Sequence, residues 1–196
     1  GSIEAVNCTF INNKAADGGA LYSNGNAEII NNIFTRNTAE GSGGAVCAGG
    51  EILLRDCGFE KNSSQKGIVY SKSGITSADN SSFFANDAAG SGTGIIDSGA
   101  GAALRHCTFT KNTGDGGAYN VYAGSGTLTA ANCLMTQDGL AGNFYPAAAG
   151  DNLLGTDAGS DYGAWFDNNI LTINHIMPLP GLPGLADAMV IDGLEH

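Results

Sequence analysis

Few side chains in this 196-residue sequence could do acid–base or nucleophilic chemistry: three His, five Cys and eight Lys and Arg stand against nineteen Asp and Glu. Glycoside hydrolysis needs two carboxylates at a defined separation. β-Elimination from a uronate needs a base, often Arg or Lys, and a cation that neutralises the carboxylate. No Asp-Asp pair, His-Gly step or Arg-x-Lys cluster occurs in the body of the chain, and Asp79 and Asp97 stand as isolated carboxylates expected at the surface. The five cysteines form no CxxC pair, so zinc and a small disulfide scaffold are not indicated. The tail carries Asp151, Asp157, Asp161 and Asp167. The first three are candidate ligands for a structural calcium ion, because carboxylate oxygens suit that hard cation. Their spacing follows no fixed loop motif, so no metal or cofactor is expected.

The elements that would position these groups come from an internal repeat, which should be sought before anything else. Asn7-Cys8-Thr9-Phe10 recurs as Asn31-Asn32-Ile33-Phe34, Asp56-Cys57-Gly58-Phe59, Asn80-Ser81-Ser82-Phe83, His106-Cys107-Thr108-Phe109 and Asn132-Cys133-Leu134-Met135. The last positions, Phe10, Phe34, Phe59, Phe83, Phe109 and Met135, are 24, 25, 24, 26 and 26 residues apart. Three residues after each stands Asn13, Asn37, Asn62, Asn86, Asn112 or Asp138. Each unit has three short apolar stretches separated by Gly and Asn, without helical periodicity. The reading is an all-β, right-handed, single-stranded parallel β-helix of about 25 residues and three short strands per turn.

The columns assign most of the reactive residues. Ile3, Ala27, Ile52, Thr76, Ala102 and Leu128 form one inward column, and Ala5, Ile29, Leu54, Ala78, Leu104 and Ala130 the next, two residues on. The Cys and Phe columns alternate out of phase with these, so a bend is expected at Asn7, Asn31, Asp56, Asn80, His106 and Asn132, residue types that tolerate positive φ. That makes His106 a corner residue rather than a ligand or base. The Phe column should stack inside as a ladder, and the Asn column should mark the next corner, bonding along the stack. A third strand runs through Gly19-Ala20-Leu21, Gly44-Ala45-Val46, Gly67-Ile68-Val69, Gly94-Ile95-Ile96 and Gly117-Ala118-Tyr119, its third position inward. Cys8, Cys57, Cys107 and Cys133 then share a buried column with Asn32 and Ser81 as inert thiols. Cys107 and Cys133, on adjacent turns, are near enough for a disulfide as the alternative. Cys47 is expected to be the exposed thiol. Arg36, Lys61 and Lys111 precede the corner Asn as a solvated stripe, and Arg55 and Arg105 stand at the strand corner.

The repeat body spans residues 3–138, as six recognisable turns. Residues 139–193 read as a last irregular turn and a C-terminal cap, because the register is lost there and a solenoid's final edge needs covering. Gly1-Ser2 and the segment 194–196 read as remnants of cleavage and tagging, and the natural protein is expected to be longer at both ends. A net charge of −11 argues against nucleic acid and against anionic membrane surfaces. No apolar run approaches the ~20 residues that cross a bilayer.

Phe10-Ile11-Asn12-Asn13 with Gly18-Gly19-Ala20-Leu21, Phe34 to Asn37 with Gly43-Gly44-Ala45-Val46, and Phe109 to Asn112 with Gly116-Gly117-Ala118-Tyr119 resemble the polymorphic outer-membrane protein repeats. The third and fourth units keep Phe-x-x-Asn without a clean Gly-Gly-Ala. The tail, with Asn152-Leu153-Leu154-Gly155-Thr156-Asp157, is similar to the end of the β-helical region in large bacterial surface proteins. The resemblance implies an exported, adhesin-like, autotransporter-like passenger at the bacterial cell surface, with no catalytic residues to carry over. The expectation is a non-catalytic adhesion segment whose partner is an unspecified host-cell, glycan or protein ligand. The alternative is a polysaccharide lyase or glycoside hydrolase on the same scaffold.

Overall fold

A computed structural model describes residues 1–124, 126–131, 133–136, 140–146, 166–167 and 170–172. In the repeat body the strands pair in parallel with their equivalents about one repeat away, the arrangement of a parallel β-helix. The first sheet stacks Ile3–Val6, Ala27–Ile30, Ile52–Arg55, Thr76–Asp79, Gly101–Arg105 and Thr127–Ala131. The second begins with Thr9–Ile11, Ile33–Thr35, Gly58–Glu60, Ser82–Phe84, Thr108–Thr110 and Leu134–Met135. A sheet of two-residue strands, among them Lys14–Ala15 and Ser63–Ser64, follows the Asn corner and adds to the three strands per turn read from the sequence. The last sheet runs from Leu21–Ser23 through Val46–Ala48, Val69–Ser71, Thr93–Ser98 and Ala118–Ala123 to Gly142–Pro146.

The first two columns pair as read, Ile3 on Ala27 and Ala5 on Ile29, then up to Ala102 on Leu128 and Leu104 on Ala130. Bends between the first two sheets fall on Asn7, Asn31, Asp56, Asn80 and His106, all with φ between 46° and 57°. The next bend falls on Asn12, Arg36, Lys61, Ala85 and Lys111, one residue before the Asn column. This shift turns the Asn side chains inward while the bases at the bend face water. Asn132 and Asp138 lie outside the described residues.

The core is a set of ladders. Consecutive rings from Phe10 to Phe109 lie 4.4–4.9 Å apart with interplanar angles of 2–7°. Phe34, Phe59, Phe83 and Phe109 are fully buried, and Met135 pairs above Phe109. Beside them, Asn37, Asn62, Asn86 and Asn112 are also buried. Asn62 Oδ1 accepts from the Asn37 backbone N–H and from its Nδ2 at 2.9 and 3.0 Å, while Asn62 Nδ2 donates to the Phe34 carbonyl at 2.9 Å. Each amide therefore satisfies backbone that the bend would otherwise leave unpaired. Phe10 is half-buried and Asn13 exposed, because the first turn has a neighbour on one side only.

Three expectations need correction. In the last sheet Ile96 pairs with Val121, and Gly94 pairs with Tyr119. Val121 is therefore the inward residue, not Tyr119, because that strand is six residues long and carries its motif two positions further on. Asn120 falls opposite Ile95 and is fully buried. It accepts from Asn112 Nδ2 at 3.3 Å and donates to the Thr136 carbonyl at 2.8 Å. Cys8 is exposed rather than buried, again as a consequence of the first turn. Cys47 is buried at 7% exposure. It lies between Tyr22 and Tyr70 on the outer face of its sheet, where Gly43 closes over it. Gly43 has φ +68°, and a Cβ there would meet Cys47 Cβ at 2.6 Å; a Cβ on Gly44 would meet the Ser63 carbonyl oxygen at 2.6 Å. The Gly-Gly pair thus combines a left-handed turn with a close approach between turns.

Beyond the body, Ile170–Thr172 pairs in parallel with Leu134–Met135, and Phe166–Asp167 pairs antiparallel to it. The candidate calcium ligands Asp151, Asp157 and Asp161, and most of residues 139–193, lie outside the described residues.

Candidate functional site

The ladder residues have structural roles. All five cysteines are free thiols. Burial pushes the Cys57 thiol up, and Cys47 is pushed up to about 11 by burial and by Asp17. Cys107 is raised by its contact with Cys133 and by burial. A thiol is a nucleophile as thiolate, so raised values suit packing rather than attack. Among the described residues no group of three or more His, Cys, Asp or Glu is arranged to hold a metal ion. His106 is exposed at its corner, with Nδ1 3.1 Å from Asp79 Oδ1.

Outward side chains remain, and two faces stand out. The outer column of the last sheet runs Tyr22, Cys47, Tyr70, Asp97, Tyr122 and Tyr145 in register. Tyr122 and Tyr145 stack at 4.8 Å and 2°, and Lys66 Nζ sits 4.8 Å above the Tyr70 ring. Asp97, expected at the surface, is only 2% exposed. Its sheet neighbours are tyrosines, and the Gly67 backbone approaches its Cβ closely. Thr93 Oγ1 donates to Asp97 Oδ2 at 2.8 Å and accepts from the Gly67 N–H at 3.0 Å. Burial raises its carboxyl to about 6 against the pull of Thr93 and Lys66. The only sequence signal was its place in an outward column otherwise rich in Tyr, legible once the register is known.

A raised carboxyl suits a general acid, but glycosidases pair two carboxylates. Asp97 has tyrosines on both sides in its column. The shift also predicts a stability effect. A carboxyl with a folded value near 6 and an unfolded value near 3.8 holds its proton more tightly in the folded state. The contribution of Asp97 to stability is therefore fully present below about pH 4 and is lost as pH rises through 6. Asp97→Asn keeps an acceptor for Thr93 and removes that loss. Its stability relative to the parent should rise by about 2–3 kcal/mol between pH 3 and pH 7. Urea titrations at the two pH values check this; a difference independent of pH would show that Asp97 titrates normally.

The second face is the outside of the first sheet. The outward residues of its strands are Glu4, Glu28, Leu53, Ser77, Ala103 and Thr129 in one column, with Val6, Ile30, Arg55, Asp79 and Arg105 in the next. A groove of about 450 Å³ lies over Leu53, Ser77, Ala103 and Thr129, bordered by Arg55, Asp79 and Arg105. A second hollow of about 510 Å³ continues past Leu53 to Glu51, Glu28 and Glu4. Glu4, Glu28 and Glu51 lie along the second hollow, whereas Arg55, Asp79 and Arg105 alternate in sign along the first.

Compared with known families, residues 1–135 match the one described as right handed beta helix region. No curated protein and no solved structure matches the chain.

Proposed function

Because the chain belongs to the right-handed β-helix region family, we propose that it is a rigid, non-catalytic segment of a secreted or cell-surface bacterial protein. In this reading it is adhesin-like and presents an extended face to a host-cell, glycan or protein ligand. The observation that carries this is the division of labour between columns. Inward positions repeat the same residue types turn after turn, while the outward column from Glu4 to Thr129 changes chemistry at nearly every turn. In a solenoid each turn is supported by its neighbours, so outward residues vary at little cost to the core. Contacts spread along such a face are individually weak and gain strength from many copies.

The carbohydrate-active alternative draws on Asp97, a proton-holding carboxyl beside tyrosines. A direct comparison separates the two. The purified chain, with and without calcium, should release no unsaturated or reducing ends from pectin, alginate or glycosaminoglycans. Turnover of any of them, abolished by Asp97→Asn, would establish the enzyme instead.

A further inference from the structure

We propose that the proline-bearing stretch from Met177 to Leu185 covers the C-terminal end of the last sheet, lying in polyproline II form across the patch made by Tyr119, Tyr122 and Tyr145. The stretch itself lies outside the described residues. This goes beyond the display reading and does not rest on it.

The tyrosines form the seat. Tyr122 and Tyr145 stack at 4.8 Å, and Tyr119 lies 5.1 Å from Tyr145 and 6.4 Å from Tyr122. In its own column Tyr119 stands in register between Gly94 and Gly142. Gly142 carries no side chain over the Tyr119 ring, which leaves a notch beside Tyr145. Tyr145 is 38% exposed, and Gly142–Pro146 is the outermost strand of its sheet among the described residues. A polyproline II chain docks on aromatic-lined grooves of this kind. It has no internal hydrogen bonds, so its carbonyls are open to tyrosine hydroxyls.

Composition, path and edge chemistry select the occupant. Met177-Pro178-Leu179-Pro180-Gly181-Leu182-Pro183-Gly184-Leu185 holds three of the chain's four prolines and no charge. Pro180 and Pro183 are one polyproline II turn apart, about 9 Å, so their rings share a side. The strand Ile170–Thr172 pairs on Leu134–Met135, which brings the chain to the same end of the solenoid as Tyr145. Tyr145 follows Met135 by ten residues, and Leu182 follows Thr172, the partner of Met135, by the same ten. An equal length of chain therefore carries Pro180 and Pro183 to the tyrosines, one layer on. Proline has no N–H for a ladder, so this stretch cannot add to Gly142–Pro146 as an ordinary strand. It covers the edge without presenting a new one, which keeps other chains from pairing there. A second copy on the patch would leave the uncharged stretch in water.

The test puts the photo-cross-linker p-benzoyl-phenylalanine in place of Tyr145 in the whole chain. Irradiation should give a cross-link within one chain, mapped by mass spectrometry to residues 177–185. A cross-linked dimer, a cross-link elsewhere in the chain, or none at all overturns the inference. A second reading is the rate at which N-acetylimidazole acetylates each tyrosine. A cover in place about nine-tenths of the time slows modification about tenfold. Tyr145 in the parent should therefore react about tenfold more slowly than in the double variant Pro180→Ser, Pro183→Ser, or in a chain ending at Ile176. Tyr22, exposed on the first turn of the same sheet, should react equally in all three. Circular dichroism checks that each is folded, and the proline variant decides alone if the shortened chain does not fold. Equal Tyr145 rates in parent and folded variants overturn the cover. None of these outcomes bears on the display reading, which polymer cleavage tests separately.

Discussion

Replacing Phe59 with Ala should destabilise the protein by about 3–5 kcal/mol, the cost of deleting a buried ring from a packed core. Phe59 is 1% exposed and is stacked 4.8 Å from both Phe34 and Phe83. A ladder has no alternative packing partner along its axis: the two flanking rings are fixed by their own strands and cannot close the gap. Lys61, two residues on, faces water at a bend and pairs only with exposed Glu60. Lys61→Ala should therefore stay within about ±0.5 kcal/mol. Urea denaturation of both variants checks the contrast, and equal effects would mean that the inward and outward columns are wrongly assigned.

A loss of about 3–5 kcal/mol is also expected for Asn62→Ala, for a different reason. The substitution removes the acceptor of the Asn37 backbone N–H and a donor to the Phe34 carbonyl, and Ala brings no polar atom into the buried column to replace them. Leaving two buried backbone groups unpaired costs more than the net value of the bonds themselves. Asn13 occupies the same column in the first turn but is exposed, so Asn13→Ala should cost about 1 kcal/mol or less. If the two variants behaved alike, the Asn ladder would be a surface feature rather than a buried brace. Neither effect would be legible from residue type, since both positions are Asn before Lys or Ser.

The winding of the chain was readable in its residues because a solenoid repeats its local problem every turn. Six aligned units, three of them Cys-x-Phe, each with Asn or Asp three residues after its last position, specify period, strand phase and inward columns without any long-range information. The bend before the Cys column was equally legible, since Asn, Asp and His tolerate positive φ where most residues resist it. The second bend was placed one residue late, because Arg36, Lys61 and Lys111 carry no conformational signature of the left-handed turn they adopt.

What the tertiary structure alone decided is the environment of outward residues. Burial outside a solenoid depends on which loop folds over which column, and that is a contact between turns. So Cys47 and Asp97, both outward by register, are covered by glycine-bearing segments: Gly43, which leads into the strand of Cys47, and Gly67, which leads into the strand one turn before that of Asp97. Two residues of drift in one long strand moved Val121 into the core and placed Asn120 at the end of the Asn ladder. Likewise, composition reports one net charge, whereas the stacking sets Glu4, Glu28 and Glu51 along one hollow and Arg55, Asp79 and Arg105 along the other. Local periodicity dictates what points inward; what an outward side chain meets depends on the neighbouring turns, and only the wound chain brings those together.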